Sequence, residues 1–498
     1  MKKLLLLLYV LPFFSYAQST CREVVGYYAG WQWYDRNRLM NPQSVPYQKY
    51  SILTYSFMQP QSNGTIAISD PWGDKNQLLG PINWAVAPAG YDTQFDFGNA
   101  AYHLSNQKLS DYAHAANCKL LVSVGGWTYS ANFPGIAADP AIRAAFAHDC
   151  NTMVQLYGLD GIDIDWEYPS TVSEKQNYTL LLQQVRDSLD AIESVVGRPL
   201  LLSIAAGASS SHMQYVDWTN ALPLLDMINL MSYDFYGTWS PTTNHNAPLY
   251  PVSSGAQSGF SCSEAVTNLM SYGVPPDRIN MGVAWYGRSH LTNGTPGLHV
   301  SGTGQSDMIH FSADDGTPLY YNVLNALNQF DYHWDSVAQV PYLTGITTNS
   351  FVSFDNEASI ELKAQYINAQ QLRGAIIWEI SGDYVESTTN PGTIAATPLT
   401  DKLNSTFCNA STGLNYPMEI SIHVSPQPAQ DIVTIMLDQH DSNAMRVVIM
   451  DLLGNEMMAQ HVDGRQSVRL DCSSWSSGVY LCYLSSSSVQ QVVKLVKQ

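Results

Sequence analysis

Past its first eighteen residues the chain has no apolar run long enough to cross a bilayer, so no membrane insertion is expected and the exported protein should be soluble. Basic residues are scarce: 23 Lys and Arg against 42 Asp and Glu leave a formal charge of −19. A surface of that sign repels phosphate backbones and anionic lipid, which argues against nucleic-acid and membrane partners. Cysteines are few and far apart. The seven (Cys21, Cys118, Cys150, Cys262, Cys408, Cys472 and Cys482) form no CxxC pair and have no histidine at zinc-like spacing, so no metal or other cofactor is expected. Their odd number leaves at least one thiol outside any intramolecular disulfide, and the connectivity stays open.

What is present begins with an address. The opening residues MKKLLLLLYVLPFFSYAQ combine two lysines, a short apolar run and a small-residue site, which reads as a secretory signal over residues 1–17, cleaved after Ala17. Loss of Lys2 and Lys3 takes the charge from −19 to −21. Cys21 invites a lipoprotein reading, but Gln18 and Thr20 stand where small residues are wanted.

Eight short apolar, β-rich runs follow: 23–29, 51–57, 119–124, 161–166, 200–206, 226–232, 279–285 and 374–380. Segments with apolar residues at three- and four-residue steps, such as 140–157 and 174–196, separate several of them and read as helices. Buried strands alternating with helices imply a parallel sheet covered by helices. Eight units fit a closed (β/α)8 TIM barrel, with a doubly wound open sheet as the rival. The interval before the last run is too long for one helix and carries mixed β-like pieces, so an α+β subdomain is expected at about 289–353 between the seventh and eighth barrel strands. The catalytic barrel then covers 18–401, a polar linker 402–417, and a small β-sandwich of alternating strands 418–498.

The fourth run, LDGIDIDWEYP, concentrates acid. Side chains alternate along a strand, so Asp163, Asp165 and Glu167 share the inward face while Ile162, Ile164 and Trp166 point outward, Trp166 beneath a helix. At about 3.3 Å per residue Glu167 lies about 13 Å along from Asp163, at the carboxyl end where barrel active sites gather. Three carboxylates in one low-dielectric file cannot all ionise cheaply, and a proton retained on a rim glutamate makes a general acid. An ion-pair network would need a Lys or Arg that the run lacks. A hard-cation loop would want turn residues where Ile and Trp stand.

The same run, Asp160 to Glu167, resembles the DxxDxDxE signature of the family 18 glycoside hydrolases, the main family of chitinases. SVGGW at 123–127, MSYD at 231–234, AWYGR at 284–288 and IIWEI at 376–380 resemble that family's other strand motifs in the right order. The resemblance implies substrate-assisted hydrolysis with retention, outside the two-carboxylate scheme. Glu167 would be the proton donor, Asp165 would hold the 2-acetamido N–H, Tyr233 would donate to its carbonyl, and Asp163 would share a proton or hydrogen bond with Asp165. Asp160, Met231, Asp234, Trp378, Trp127, Trp31, Gly126, Tyr28 and Arg288 would bind chitin or chitooligosaccharides, Trp378 as the sugar platform. Gly125 and Gly126 permit a tight turn against the sugar.

The tail resembles the type A sorting domain of the type IX secretion system of Bacteroidetes, through VSPQPAQDIVTIML, VVIMDLLGNEM, SGVYLCYL and VVKLVKQ, with Gln427 where that family usually has Asn. A secreted or cell-surface chitinase, with the type IX machinery as a partner, is the reading this implies. An endo-β-N-acetylglucosaminidase acting on N-glycans and a non-catalytic chitin-binding lectin remain alternatives. The intact Glu167, Asp165 and Tyr233 speak against the lectin.

Overall fold

The computed structural model describes residues 21–36, 39–88, 99–252, 260–408, 422–425, 429–437, 445–451, 456–462, 468–485 and 490–498. The signal segment expected at 1–17 lies outside them. The chain divides into two units, Met1–Asn409 and Ala410–Gln498.

The first unit is a closed barrel. Its eight parallel strands are β1 (Glu23–Ala29), β2 (Ile52–Pro60), β4 (Lys119–Gly125), β5 (Gly161–Asp165), β6 (Leu201–Gly207), β7 (Met227–Met231), β8 (Ile279–Ala284) and β13 (Gly374–Trp378). Each pairs with the next, and β1 pairs with both β13 and β2, which closes the ring and rules out the open sheet. Short β3 (Ile66–Ile68) runs antiparallel on the end of β2. Strand parity sorts the side chains. Val25, Tyr27, Ile52, Leu121, Met227 and Ile376 form an interior cluster, while Val24, Tyr28, Leu120, Val122, Ile162 and Ile164 belong to the larger core around it.

The helices begin and end on residues suited to the task. Helix Pro140–Tyr157 starts where Asp139 accepts from the Ala141 and Ile142 N–H groups and stops at Gly158, whose φ of +71° only glycine adopts cheaply. Helix Val172–Val196 opens on a reciprocal Thr171–Glu174 capping box. Trp166 is stacked on Phe133 at 5.5 Å and lies edge-on to Tyr178 of the second helix at 5.2 Å, the helix-side placement its parity requires. Trp285 is wholly buried and donates to Thr400, so it is core.

Between β8 and β13 lies an antiparallel sheet of β9 (Arg288–Leu291), β10 (Phe330–Asp335), β11 (Val340–Gly345) and β12 (Ser350–Ser353), in the order β10-β11-β12-β9, with helix Tyr320–Ala326. The linker expected from residue 402 needs correction at its start. Residues 402–408 belong to helix Pro398–Cys408, whose Leu403 and Phe407 are buried, and Cys408 forms a disulfide with Cys21 ahead of β1. Sparse apolar content hid this helix, because only its buried face anchors it. Residues 409–417 lie outside the described residues.

The second unit contains two antiparallel sheets. One orders 422–425, 432–437 and 468–471; the other orders 456–462, 445–451, 478–485 and 490–497. Val433, Ile449, Leu470 and Leu495 are buried within the unit.

Outside the acidic run of β5, three buried carboxyls make barrel stability depend on pH. Burial pushes Asp74 up to about 6 and Glu379 and Asp383 up to about 7, against the lowering effect of their hydrogen bonds. The folded state therefore holds protons that the unfolded chain has released, so their contribution is full below the ordinary carboxyl range and is lost as pH rises through about 6 to 7. Buried histidines such as His245, held low by desolvation, act in the opposite sense. A paired comparison isolates the carboxyl. Glu379→Gln should gain in melting temperature relative to wild type as pH goes from about 6 to about 8; a gap constant with pH would show that Glu379 titrates normally.

Candidate active site

The register of three neighbouring strands builds the floor of the site. Asp163 on β5 stands opposite Ser123 on β4 and Ser203 on β6. Because all three point inward, Ser123 donates to Oδ2 at 2.7 Å and Ser203 to Oδ1 at 2.5 Å. Tyr27 of β1 reaches across the barrel to donate to Oδ2 at 2.9 Å, and Asn229 of β7 donates to Oδ1 at 3.3 Å. Four donors thus meet one wholly buried carboxylate. Burial still outweighs them and raises the Asp163 pKa.

Asp165, two residues on, differs. It is buried, and its Oδ1 has no hydrogen-bond partner among the described residues. Burial, then the charges of Glu167 and Asp163, push its carboxyl well above the usual range, so Asp165 and Glu167 retain a proton between them. Glu167, part-buried at the rim, is also raised, by burial and by Asp234; a hydrogen bond from Tyr168 and the Trp127 N–H oppose the rise. Ser130 props the rim by accepting from the Glu167 N–H at 2.8 Å while donating to Gly126 O.

Met231 and Tyr233, at and just beyond the end of β7, pack against the interior cluster, and both are partly exposed. The Tyr233 hydroxyl keeps its proton, since burial and the surrounding Asp165, Asp234, Glu167 and Asp163 raise its pKa far above that of a free phenol. Asp234 is clamped by Arg288 at the head of β9, through Nε at 2.9 Å and Nη2 at 2.7 Å, and by the Tyr286 hydroxyl at 2.6 Å. This bidentate pair ties the inserted subdomain to the barrel mouth. Trp378, at the end of β13, lies 5.6 Å from Tyr27, 6.1 Å from Trp31 and 5.6 Å from Phe57, forming an aromatic floor. Trp31 is 44% exposed and Trp127 77%, so both present indole faces to solvent. Gly126 belongs here too: with φ at +80°, its Cβ would stand 2.8 Å from the Phe57 ring.

Two expected site residues are elsewhere. Asp160 precedes β5 and sits at the opposite end of the strand from Glu167, accepting from His114 at 2.7 Å and the Leu120 N–H at 2.8 Å and pairing with Arg198 at 2.7 Å. Burial alone would raise its carboxyl, but these partners hold it below the usual range, so it is a structural anchor. Tyr28 has no exposed surface. Its ring stacks on Tyr55 at 5.4 Å and its hydroxyl donates to Gln77 at 2.6 Å on the helix side of β1. Tyr27 takes the inward place. Sequence reasoning missed Tyr27, Ser203, Asn229 and Phe57, because the inward face of β1 is not marked in Val-Val-Gly-Tyr-Tyr, and because Ser and Asn in strands announce no partner. Among the described residues no three His, Cys, Asp or Glu side chains converge as a metal site.

Comparison with known proteins agrees with this geometry. The family model described as glycosyl hydrolases family 18 matches residues 23–383, and that described as secretion system C-terminal sorting domain matches residues 423–498. Chitinase A1 of Niallia circulans is 32% identical over 435 residues, which cover 76% of this chain and 60% of that protein's length. Endochitinase 1 of Metarhizium robertsii is 33% identical over 360 residues, covering 72% of this chain and 80% of that one. Among solved structures, the Group IV chitinase of Ostrinia furnacalis superposes with a TM-score of 0.63 at 26% identity, covering 78% of this chain and 99% of that one.

The tightest geometric demand at the site is on Gly125. Its φ is +113°, and an added Cβ would lie 2.2 Å from Asp165 O. Gly125→Ala should therefore destabilise the barrel by roughly 2 kcal/mol or more and disturb the Asp165 backbone. Thermal unfolding within experimental error of wild type would contradict the close approach.

Proposed function

The chain belongs to family 18 of the glycosyl hydrolases, and we propose that it is a secreted chitinase, hydrolysing β-1,4-linked N-acetylglucosamine polymers with retention by substrate-assisted catalysis. One observation carries the reading: the buried Oδ1 of Asp165, which has no hydrogen-bond partner among the described residues, two positions before the raised carboxyl of Glu167. An orphan acceptor in a dry site costs free energy until a donor arrives, and the acetamido N–H of a bound sugar is such a donor.

The steps follow from the chain's own groups. Protonated Glu167 gives its proton to the glycosidic oxygen as the bond from that oxygen to the anomeric carbon breaks. The acetamido carbonyl oxygen of the same sugar attacks the anomeric carbon, forming an oxazolinium-like ring. Asp165 holds the N–H and faces the developing positive charge, while the Tyr233 hydroxyl donates to the carbonyl oxygen and orients it. Asp163, fixed by its four donors, supports Asp165 from below. Glu167, now a carboxylate, takes a proton from water as that water opens the ring on the original face. Trp378 stacks under the sugar, with Trp31, Trp127, Met231, Asp234, Arg288 and Gly126 shaping the cleft. The general acid must be protonated in the free enzyme, so kcat/KM should persist above the ordinary carboxyl range and fall as pH rises through the elevated Glu167 pKa.

The catalytic test pairs a variant with a substrate series. Glu167→Gln should bind chitooligosaccharides but hydrolyse them at least about a hundredfold more slowly. The wild type should cleave acetylated oligomers, leave fully deacetylated ones intact, and bind a thiazoline mimic of the intermediate more tightly than substrate. Rapid turnover by the glutamine variant, or cleavage of deacetylated oligomers, would reject the mechanism.

The tail carries a sorting domain, which directs export through a secretion system; the type IX machinery is its proposed partner. Because the disulfide ends at Cys408, the place to truncate lies beyond it. A chain ending at residue 409 should hydrolyse chitin like the full protein yet remain in the periplasm of its host, while one ending at Thr406 should lose thermal stability as well. Normal secretion of the longer truncation, with chitin capture by the isolated tail, would recast the tail as a binding module.

A further inference from the structure

Tyr168 follows Glu167 directly, and its phenol ring lies flat against the imidazole of His212, with centroids 3.9 Å apart and planes 11° from parallel. The two rings come from different parts of the barrel rim. His212 sits in the short helix Ser210–Met213, just past β6, whereas Tyr168 lies beyond β5. Gly207, the last residue of β6, leaves the space in which they meet: a Cβ there would stand 2.6 Å from His212 Nδ1 and 2.8 Å from Tyr168 Cε1. Any other residue at 207 would push the stack apart.

The stack ends at the acid. Beside the Glu167 carboxyl, burial together with the Glu167 and Asp165 charges keeps the Tyr168 proton on the phenol oxygen, so its hydroxyl is available to that carboxyl as a donor. His212 is part-buried, burial holds its pKa below the ordinary histidine value, and no charged group contributes to that shift, so the ring is a neutral, flat support. The charged and polar groups facing Glu167 are Asp165 on its own strand, Tyr233 and Asp234 past β7, the Trp127 N–H past β4, and Tyr168. Of these side chains, Tyr168 is the one that favours the charged form of Glu167, and it is the one held by a ring from another loop.

We propose that Tyr168 and His212 are positioning residues for the acid: the imidazole fixes the phenol ring by stacking, and the phenol hydroxyl holds the Glu167 carboxyl in one orientation, so the loop after β6 governs a group at the end of β5. The inference rests on Glu167 being the proton donor. Stacking of flat rings supplies orientation at small entropic cost, and a hydrogen bond to a carboxylate favours its charged form. Loss of the donor thus leaves Glu167 protonated to higher pH and less well aimed.

The test uses the full chain with Tyr168→Phe, His212→Ala and His212→Phe, measuring kcat and KM on a chromogenic chitooligosaccharide across pH. Tyr168→Phe should move the basic limb of kcat/KM upward by about 0.5 to 1 pH unit and lower kcat by about fivefold to tenfold, with KM within about twofold. His212→Ala should act in the same direction and less strongly. His212→Phe, which keeps a flat ring and removes titration, should return both the limb and kcat toward wild type. An unchanged limb in Tyr168→Phe or His212→Ala would overturn the proposal, and so would failure of His212→Phe to rescue. A second measurement separates this from the activity itself: the Glu167 carboxyl, 13C-labelled and assigned by its loss in Glu167→Gln, is titrated by NMR without substrate. Wild-type protein lacking hydrolytic activity, with Glu167 titrating higher in Tyr168→Phe and His212→Ala, would sink the chitinase reading and keep the pair. Active wild type with an unmoved Glu167 would sink the pair.

Discussion

The structure depends most on how one carboxylate is kept inside a barrel. Asp163 is wholly buried, and among the described residues its oxygens are met by neutral donors only, Ser123, Ser203, Tyr27 and Asn229. Isolated burial of a carboxylate is among the costliest acts in a fold, and neutral donors offset it without cancelling the negative charge. Register delivers the two shortest of these bonds, because Ser123, Asp163 and Ser203 are neighbours on adjacent parallel strands. A one-residue slip of β5 would turn all three acids outward and Trp166 inward.

From that base the file becomes less satisfied towards the rim. Asp163 has four donors, Asp165 Oδ1 has no partner among the described residues, and the charged form of Glu167 is favoured only by Tyr168 and a backbone N–H. This gradient is the reverse of what stability alone would choose. Polar satisfaction is greatest at the bottom, where nothing binds, and least where a substrate would supply the missing donors.

The mouth is assembled from separate elements in the same spirit. Arg288 in the inserted sheet holds Asp234 past β7, and Trp378 from β13 is bracketed by Tyr27 of β1, Phe57 of β2 and Trp31 just past β1. The disulfide between Cys21 and Cys408 joins the approach to the first strand to the end of the last helix, 387 residues apart in sequence. Cross-linking so long a loop removes much freedom from the unfolded chain.

Local sequence sufficed wherever the physics is local. Apolar runs separated by helical periodicity set the eight-stranded barrel, and alternation within GIDIDWE placed Asp163, Asp165 and Glu167 inward and Trp166 outward, because a strand's two faces follow from chain geometry alone. The motifs also brought Tyr233, Asp234, Arg288 and Trp378 to one rim. Tertiary structure decided what parity cannot carry between strands: that Tyr27 and not Tyr28 faces the acids, that Asp160 is an anchor at the far end, that Cys21 pairs with Cys408, and that residues 402–408 are helix. Each of these depends on which strand or helix lies alongside, and a hydroxyl or an amide in a sequence does not say which carboxylate it will meet.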